Sequence, residues 1–341
     1  MNGVDTAARV EPAGDLPAFP AAEPKNGIPQ TRPFCLVTGS SRGLGLALAE
    51  ECARLGMNLI LVALPDTGLP EVSNDLGQRY GIDAVYREID LAEPESAETL
   101  HGWVEEQRLA VTMLINNAGI GAHGPFSESR PERNRAMINL NISALVHLTQ
   151  LFLPELKQQQ RAYILNVASL AAFYAMPCKP VYASTKAFVL NFSLALRAEL
   201  AGTAVTVSAL CPGGIITNEE CRKLIAAQGF FGRISRHHPE EVARYALKQL
   251  LRNRASTATE PPHLPSMTTS TASAATAARR CARTGRSNGK PRFWERCCSE
   301  EGADHDPPTR PRLPESLPPP SAHRSTAEAH ARSGHGEPWL P

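Results

Sequence analysis

Between residues 34 and 254 the apolar positions follow two alternating rhythms. Short, almost continuous apolar or β-branched runs are FCLVT (34–38), NLILVAL (58–64), AVYR (84–87), MLIN (113–116), YILNV (163–167) and VTVSAL (205–210). Between them, at 43–55, 71–80, 95–108, 131–158, 180–201 and 239–253, apolar residues recur at the spacing of one helix face. Runs with no polar alternation fit strands buried on both faces. Strict strand–helix alternation predicts parallel strands joined by right-handed crossovers, with helices on both sides. The expected architecture is therefore α/β: a doubly wound parallel sheet in a single domain over 34–254. Ligands of such sheets bind beyond the carboxyl ends of the strands.

The flanks read differently. Residues 1–33 are rich in Pro, Ala and acidic side chains without periodicity and are expected to be a disordered leader. Residues 255–341 turn abruptly to Pro, Ser, Thr, Ala and Arg and are expected to be a low-complexity, disordered tail. Pro261, Pro262 and Pro265 argue against a further strand after the last helix. The abrupt change predicts that the chain after Arg254 stands outside the fold, as a frame-shifted or divergent C-terminus would. A Pro-rich partner ligand is the competing reading.

Bulk properties narrow the function class. With 341 residues and 42% hydrophobic residues the chain has material for a sizeable core. A net charge of +1 gives no pointer to nucleic acid or an anionic membrane. No run of about 18 apolar residues predicts a membrane span, and the N-terminus has no apolar signal segment. The eight cysteines show no C-x-x-C or Cys/His metal spacing, so no metal is expected. They read as reduced thiols in a cytoplasmic protein.

The strand ends carry the chemistry. After the first strand, TGSSRGLG places Gly39, Gly43 and Gly45 where a strand turns into a helix, so the helix N–H groups are free for a pyrophosphate. Arg42 opposes the helix dipole, a conflict that a bound anion removes. After the second strand stand Ala63 and Leu64, where an NAD-binding site would have an acid. That absence and Arg42 together favour the 2′-phosphate of NADP, with Asp66 as the residue that could counter it. Asp90, after the third strand, suits an adenine amino group or a helix cap. After the fourth, Asn116 and Asn117 suit backbone ties between strands, and Ala118 and Gly119 leave room for a ligand. After the fifth come Ser169 and then Tyr182 and Lys186, one helical turn apart. A lysine ammonium beside a phenol lowers its pKa and lets it exchange a proton with a carbonyl oxygen, while a serine hydroxyl holds that oxygen. After the sixth, Pro212 and Gly213 end the strand and Thr217 is placed for the nicotinamide-side phosphate.

Taken together these motifs resemble the short-chain dehydrogenase/reductase family over 34–254. They are T-G-x-x-x-G-x-G at 38–45, D-L at Asp90 and Leu91, N-N-A-G at 116–119, Asn141 in INLNIS, Ser169, Y-x-x-x-K at 182–186 and P-G-x-x-x-T at 212–217. The resemblance implies a Rossmann-type fold and a catalytic tetrad of Asn141, Ser169, Tyr182 and Lys186. Asn141 is favoured over Asn139 by the NISALVHLTQ that follows it. It also implies cofactor contacts from Thr38, Gly39, Ser41, Arg42, Gly43, Leu44, Gly45, Asp90, Leu91, Asn117, Ala118, Gly119, Tyr182, Lys186, Pro212, Gly213, Ile215 and Thr217. NADP(H) is expected over NAD(H), with a carbonyl/secondary alcohol as substrate. The segment 218–238 is implied to cover the substrate; Phe230 and Phe231, between Gly229 and Gly232, read either as an apolar lid over a substrate with apolar bulk or as two core aromatics between turns. The resemblance further implies a homodimer or homotetramer through the helices near 131–158 and 180–201. The competing function is a catalytically silent NADP(H)-binding sensor or scaffold; a third reading keeps the enzyme but assigns epimerase or dehydratase chemistry.

Overall fold

A computed structural model describes residues 32–215 and 237–258. The readings made for 1–31, for Thr217, for Phe230 and Phe231 and for the chain after Ala258 lie outside the described residues. The elements run β1 (Phe34–Thr38), α1 (Gly43–Arg54), β2 (Asn58–Ala63), α2 (Leu69–Tyr80), β3 (Ala84–Glu88), α3 (Ser96–Glu106), β4 (Val111–Asn116), α4 (Pro131–Ile138), a π-helical turn (Asn139–Ala144), α5 (Leu145–Gln158), β5 (Ala162–Val167), α6 (Pro180–Glu199), β6 (Val205–Cys211), α7 (Pro239–Leu251) and β7 (Ser256–Ala258). Short 3₁₀ turns at Phe126–Glu128 and Leu170–Phe173 complete the order.

The seven strands form one parallel sheet in the order β3-β2-β1-β4-β5-β6-β7. Side chains alternate across it. Cys35 and Val37 face the layer of α1, α2 and α7; Phe34 and Leu36 face the layer of α3 and α5. Both faces are thus buried, as the unbroken apolar runs require. The order reverses between β1 and β4, so the crevice over their carboxyl ends is the topological switch point.

Two expectations need correction. An edge strand does follow the last helix: Ser256–Ala258 pairs in parallel with β6, matching Ala209 to Ser256 and Cys211 to Ala258. The fold therefore reaches past the boundary set at 254, and the prolines from 261 onward lie beyond the strand. The sequence hid it because an edge strand of three small residues has no apolar run to show. β4 also starts at Val111 rather than 113, because Thr112 interrupts the apolar run while the backbone already pairs with β1.

The continuous helix 131–158 is long and apolar enough, by length and composition, to cross a membrane. Here its Leu148, Phe152 and Leu156 are spent on the sheet. Cys35, Cys52 and Cys211 are buried free thiols, as expected. Cys178 departs from the expectation and is disulfide-bonded. A single bridge joins Ile215 to His237, with the His237 N–H donating to the Gly214 carbonyl at 3.3 Å.

Candidate active site

The turn from β1 into α1 is shaped by glycine. Gly39 and Gly43 take left-handed φ angles of 66° and 60°. At Gly45 a Cβ would stand 2.0 Å from the Gly39 carbonyl oxygen, so any side chain would push the helix off the turn. Arg42 is the exposed N-cap residue; it makes no side-chain cap, and no acid stands in the first turn of α1. First-turn N–H donors without a side-chain acceptor, beside a cation, fit a pyrophosphate. Ser41 and Gly43 are half-buried there. The Leu44 side chain is in the core, so only its backbone is left for a ligand.

Hydrogen bonds lock the crevice between β1 and β4. Thr38 Oγ1 accepts from the N–H groups of Asn117 (3.0 Å) and Ala118 (2.9 Å) and donates to the Ile115 carbonyl. Asn117 Nδ2 donates to the carbonyls of Thr38 and Gly39. Asn116 Nδ2 reaches Asn166 Oδ1 at 2.9 Å and Thr149 Oγ1 at 3.1 Å, and Asn166 donates on to Ser193. The expected tie between strands is therefore made, and the Asn117 amide is spent on it. Asp90 does not cap a helix: its Oδ1 accepts from the Ala92 N–H at 2.9 Å, while α3 begins only at Ser96. Leu91 is buried, so its side chain packs in the core. Asp66 and Leu64 are exposed at the end of β2, Asp66 with a φ of 59°.

The four residues expected to handle protons meet beside the loop that follows β4. Beside Gly119, an added Cβ would lie 3.0 Å from Asn141 Oδ1 and 3.3 Å from Lys186 Nζ. Beside Gly121 it would lie 3.5 Å from the Tyr182 ring. Asn141 sits in the π-turn, 1% exposed, and its carboxamide is fully engaged. Nδ2 donates to the Ile120 carbonyl and to Thr185 Oγ1, both at 3.0 Å, and Oδ1 accepts from the Ile120 N–H at 2.9 Å. Asn139 points elsewhere, donating to the Ala92 carbonyl at 3.1 Å. Ser169 caps the 3₁₀ turn after β5, its Oγ accepting from the Ala171 N–H.

Electrostatics correct one expectation. Lys186 does not lower the Tyr182 pKa here. Burial pushes the phenol above its usual value, and only the hydrogen bond with Ser169 pulls it down. The reason is where the lysine goes: Nζ donates to the Val167 carbonyl at 2.8 Å, at the end of β5. Burial lowers the Lys186 pKa to about 8. Cys211, deep at the end of β6, is raised to about 12 by burial, with the Ser169 backbone and Lys186 opposing.

Pro212 and Gly213 follow β6 directly, and Ile215 packs against the core layer of α1, α2 and α7. Leu170 donates to the Pro212 carbonyl at 3.0 Å, which ties the ends of β5 and β6 together. Exposed apolar side chains stand around the loop and the 3₁₀ turns: Ile120, Phe126, Phe173 and Tyr174. His123, in the same loop, is held below its usual pKa by burial and by Lys179. Clefts of about 520 Å³ beside β3 and about 570 Å³ at the start of β4 contain none of these residues. Among the described residues no cluster suits a metal ion. Thr185 and Cys211 were not legible as site residues. Thr185 hides in Y-A-S-T-K between two more telling residues, and Cys211 reads as the last apolar residue of its strand.

Comparisons with known proteins show the family. A family model described as short chain dehydrogenase matches residues 34–223. D-beta-hydroxybutyrate dehydrogenase of Cupriavidus necator is 33% identical over 183 residues, covering 53% of this chain and 70% of that protein. A probable NADP-dependent dehydrogenase of Haemophilus influenzae is 34% identical over 179 residues, 52% of this chain and 69% of that one. Among solved structures, a short-chain dehydrogenase from Sphingobium yanoikuyae in complex with NADPH has a TM-score of 0.61 at 27% identity, covering 76% of this chain and 98% of that one.

Proposed function

The chain belongs to the short-chain dehydrogenase family, and from that premise we propose that it is an NADP(H)-dependent oxidoreductase acting on a carbonyl/secondary alcohol pair. The observation that carries the reading is the meeting of Asn141, Ser169, Tyr182 and Lys186 beside the switch-point crevice. When bound, the dinucleotide supplies or accepts the hydride. The helix start at Gly43–Gly45 would hold its pyrophosphate, with Thr38, Gly39 and Ser41 lining the turn and Ala118 and Gly119 giving it passage. Arg42 favours a 2′-phosphate, and Ala63 and Leu64 at the end of β2 offer no acid to a bare ribose, the nearest, Asp66, lying past Pro65. The free Asp90 oxygen would take the adenine amino group, and Pro212, Gly213, Ile215 and Thr217 would border the nicotinamide end.

Ser169 holds the substrate oxygen by a hydrogen bond. Tyr182 gives that oxygen a proton in reduction and takes it back in oxidation. Lys186, half-charged near pH 8, would bond the ribose while one of its protons stays on the Val167 carbonyl. The exposed Ile120, Phe126, Phe173 and Tyr174 support a substrate with apolar bulk. The stacked and partly exposed Phe188 and Phe192 on α6 support a homo-oligomer. The buried thiols Cys35, Cys52 and Cys211 support a cytoplasmic site of action, which the disulfide at Cys178 opposes.

The test is a titration with NADPH and NADH followed by ketone reduction. We expect NADPH to bind at least tenfold tighter. Binding without turnover across a broad carbonyl panel would favour the silent sensor and remove the enzyme reading.

A further inference from the structure

Thr185 occupies a position that the proposed reaction does not use directly, one residue before Lys186 and three after Tyr182. It is 1% exposed and has a single hydroxyl proton, which goes to the Tyr182 carbonyl at 2.8 Å. Toward Asn141 it therefore presents only a lone pair. It receives one of the two Asn141 Nδ2 protons at 3.0 Å; the other goes to the Ile120 carbonyl. Asn141 Oδ1 accepts from the Ile120 N–H at 2.9 Å, and it and Lys186 Nζ both stand so close to Gly119 that a Cβ there would crowd them, at 3.0 and 3.3 Å.

We propose that Thr185 is a positioning residue that holds the Asn141 carboxamide so that its oxygen stays beside the Lys186 ammonium. The chain of bonds runs Asn141 Nδ2, Thr185 Oγ1, Tyr182 carbonyl, and it fastens the π-turn to α6 at the level of the phenol. Without the hydroxyl, one buried N–H of Asn141 has no acceptor, and the amide, held only by its two bonds to Ile120, tilts to satisfy it. The ammonium then loses a partial negative charge from its surroundings. The groups around Lys186 are the Cys211 thiol on β6, the Val167 carbonyl on β5 and Asn141 on the π-turn, with Tyr182 one turn before it on α6. Of these only Asn141 depends on Thr185. The role in turnover rests on the oxidoreductase reading; the effect on Lys186 does not.

The test compares Thr185→Val, which keeps the shape and removes the hydroxyl, with Thr185→Ser, which restores it. In protein labelled with [13C]lysine, the Lys186 Cε resonance reports its titration without turnover. We expect Thr185→Val to lower that titration midpoint by at least about half a unit and Thr185→Ser to return it. With NADPH and acetophenone as probe, kcat should fall roughly tenfold in Thr185→Val. The KM for NADPH should stay constant, and the alkaline limb of the pH profile should move to lower pH. If Thr185→Val does not fold, Thr185→Ala is read in the same way. An unchanged Lys186 titration, or a change that Thr185→Ser fails to reverse, overturns the inference. A shifted titration in a protein that reduces no ketone leaves the inference standing and removes the enzyme reading instead.

Discussion

Lys186 is an ammonium placed where burial opposes its charge. Its folded pKa near 8 lies below the usual lysine value of 10.5. Below pH 8 both folded and unfolded chains are protonated there, and the fold carries the full cost of the buried charge. Between about 8 and 10.5 the unfolded chain binds more protons, so stability rises with pH across that window. Lys186→Met should therefore stabilise the protein at pH 7, on the order of 2 kcal/mol after loss of the Val167 bond, while abolishing turnover. Thermal melts at pH 7 and pH 10 check it: the stabilising effect should shrink at the higher pH. Tyr182→Phe should remove nearly all turnover yet keep NADPH affinity, read by cofactor fluorescence. Arg42→Ala should weaken NADPH by about tenfold and leave NADH unchanged, as expected for loss of one charge-assisted contact. At this scale the sequence named most of the group, because side chains that handle protons are rare in apolar surroundings and stood at strand ends. It could not show that Lys186 turns to the Val167 carbonyl instead of Tyr182. That depends on which carbonyl lies within reach, a matter of tertiary register.

The elements depend on backbone shape as much as on apolar pattern. α1 can approach the turn after β1 only because Gly45 has no Cβ; Gly45→Ala places a carbon 2.0 Å from the Gly39 carbonyl oxygen, which cannot yield, and 2.5 Å from the Asn117 amide. We expect it to cost about 1–3 kcal/mol and to weaken NADPH binding sharply, measured by urea melts and cofactor titration. The helix read over 131–158 is continuous, but a π-helical turn separates its two α-helical stretches, and that turn is where Asn141 sits. Apolar spacing does not see one extra residue in a turn, although such bulges collect at functional sites. Strands with continuous apolar runs were legible to within two residues. β7 was not, because a strand paired on one side needs little apolar surface.

For the molecule as a whole, β7 joins the chain beyond α7 back onto the sheet next to β6, whose end carries Cys211 and leads into Pro212. A chain ending after Ala258 should keep that edge, whereas one ending after Arg254 should lose it. The expected outcome is a lower melting temperature for the shorter chain alone, by several degrees, measured by calorimetry. Equal melting temperatures would show that the strand contributes nothing to stability.

The bridge between Ile215 and His237 has a bearing on how such a protein diversifies. It brings the two ends of a 21-residue excursion, 216–236, to one point of a scaffold that is already closed by its sheet. The entropy of closing a loop grows only with the logarithm of its length. Insertions, deletions or wholesale replacement of that stretch therefore fall lightly on the stability of the strands and of the Tyr182–Lys186 helix. Residues 215 and 237 are thus two junctions at which a different stretch can be joined at little cost to the sheet.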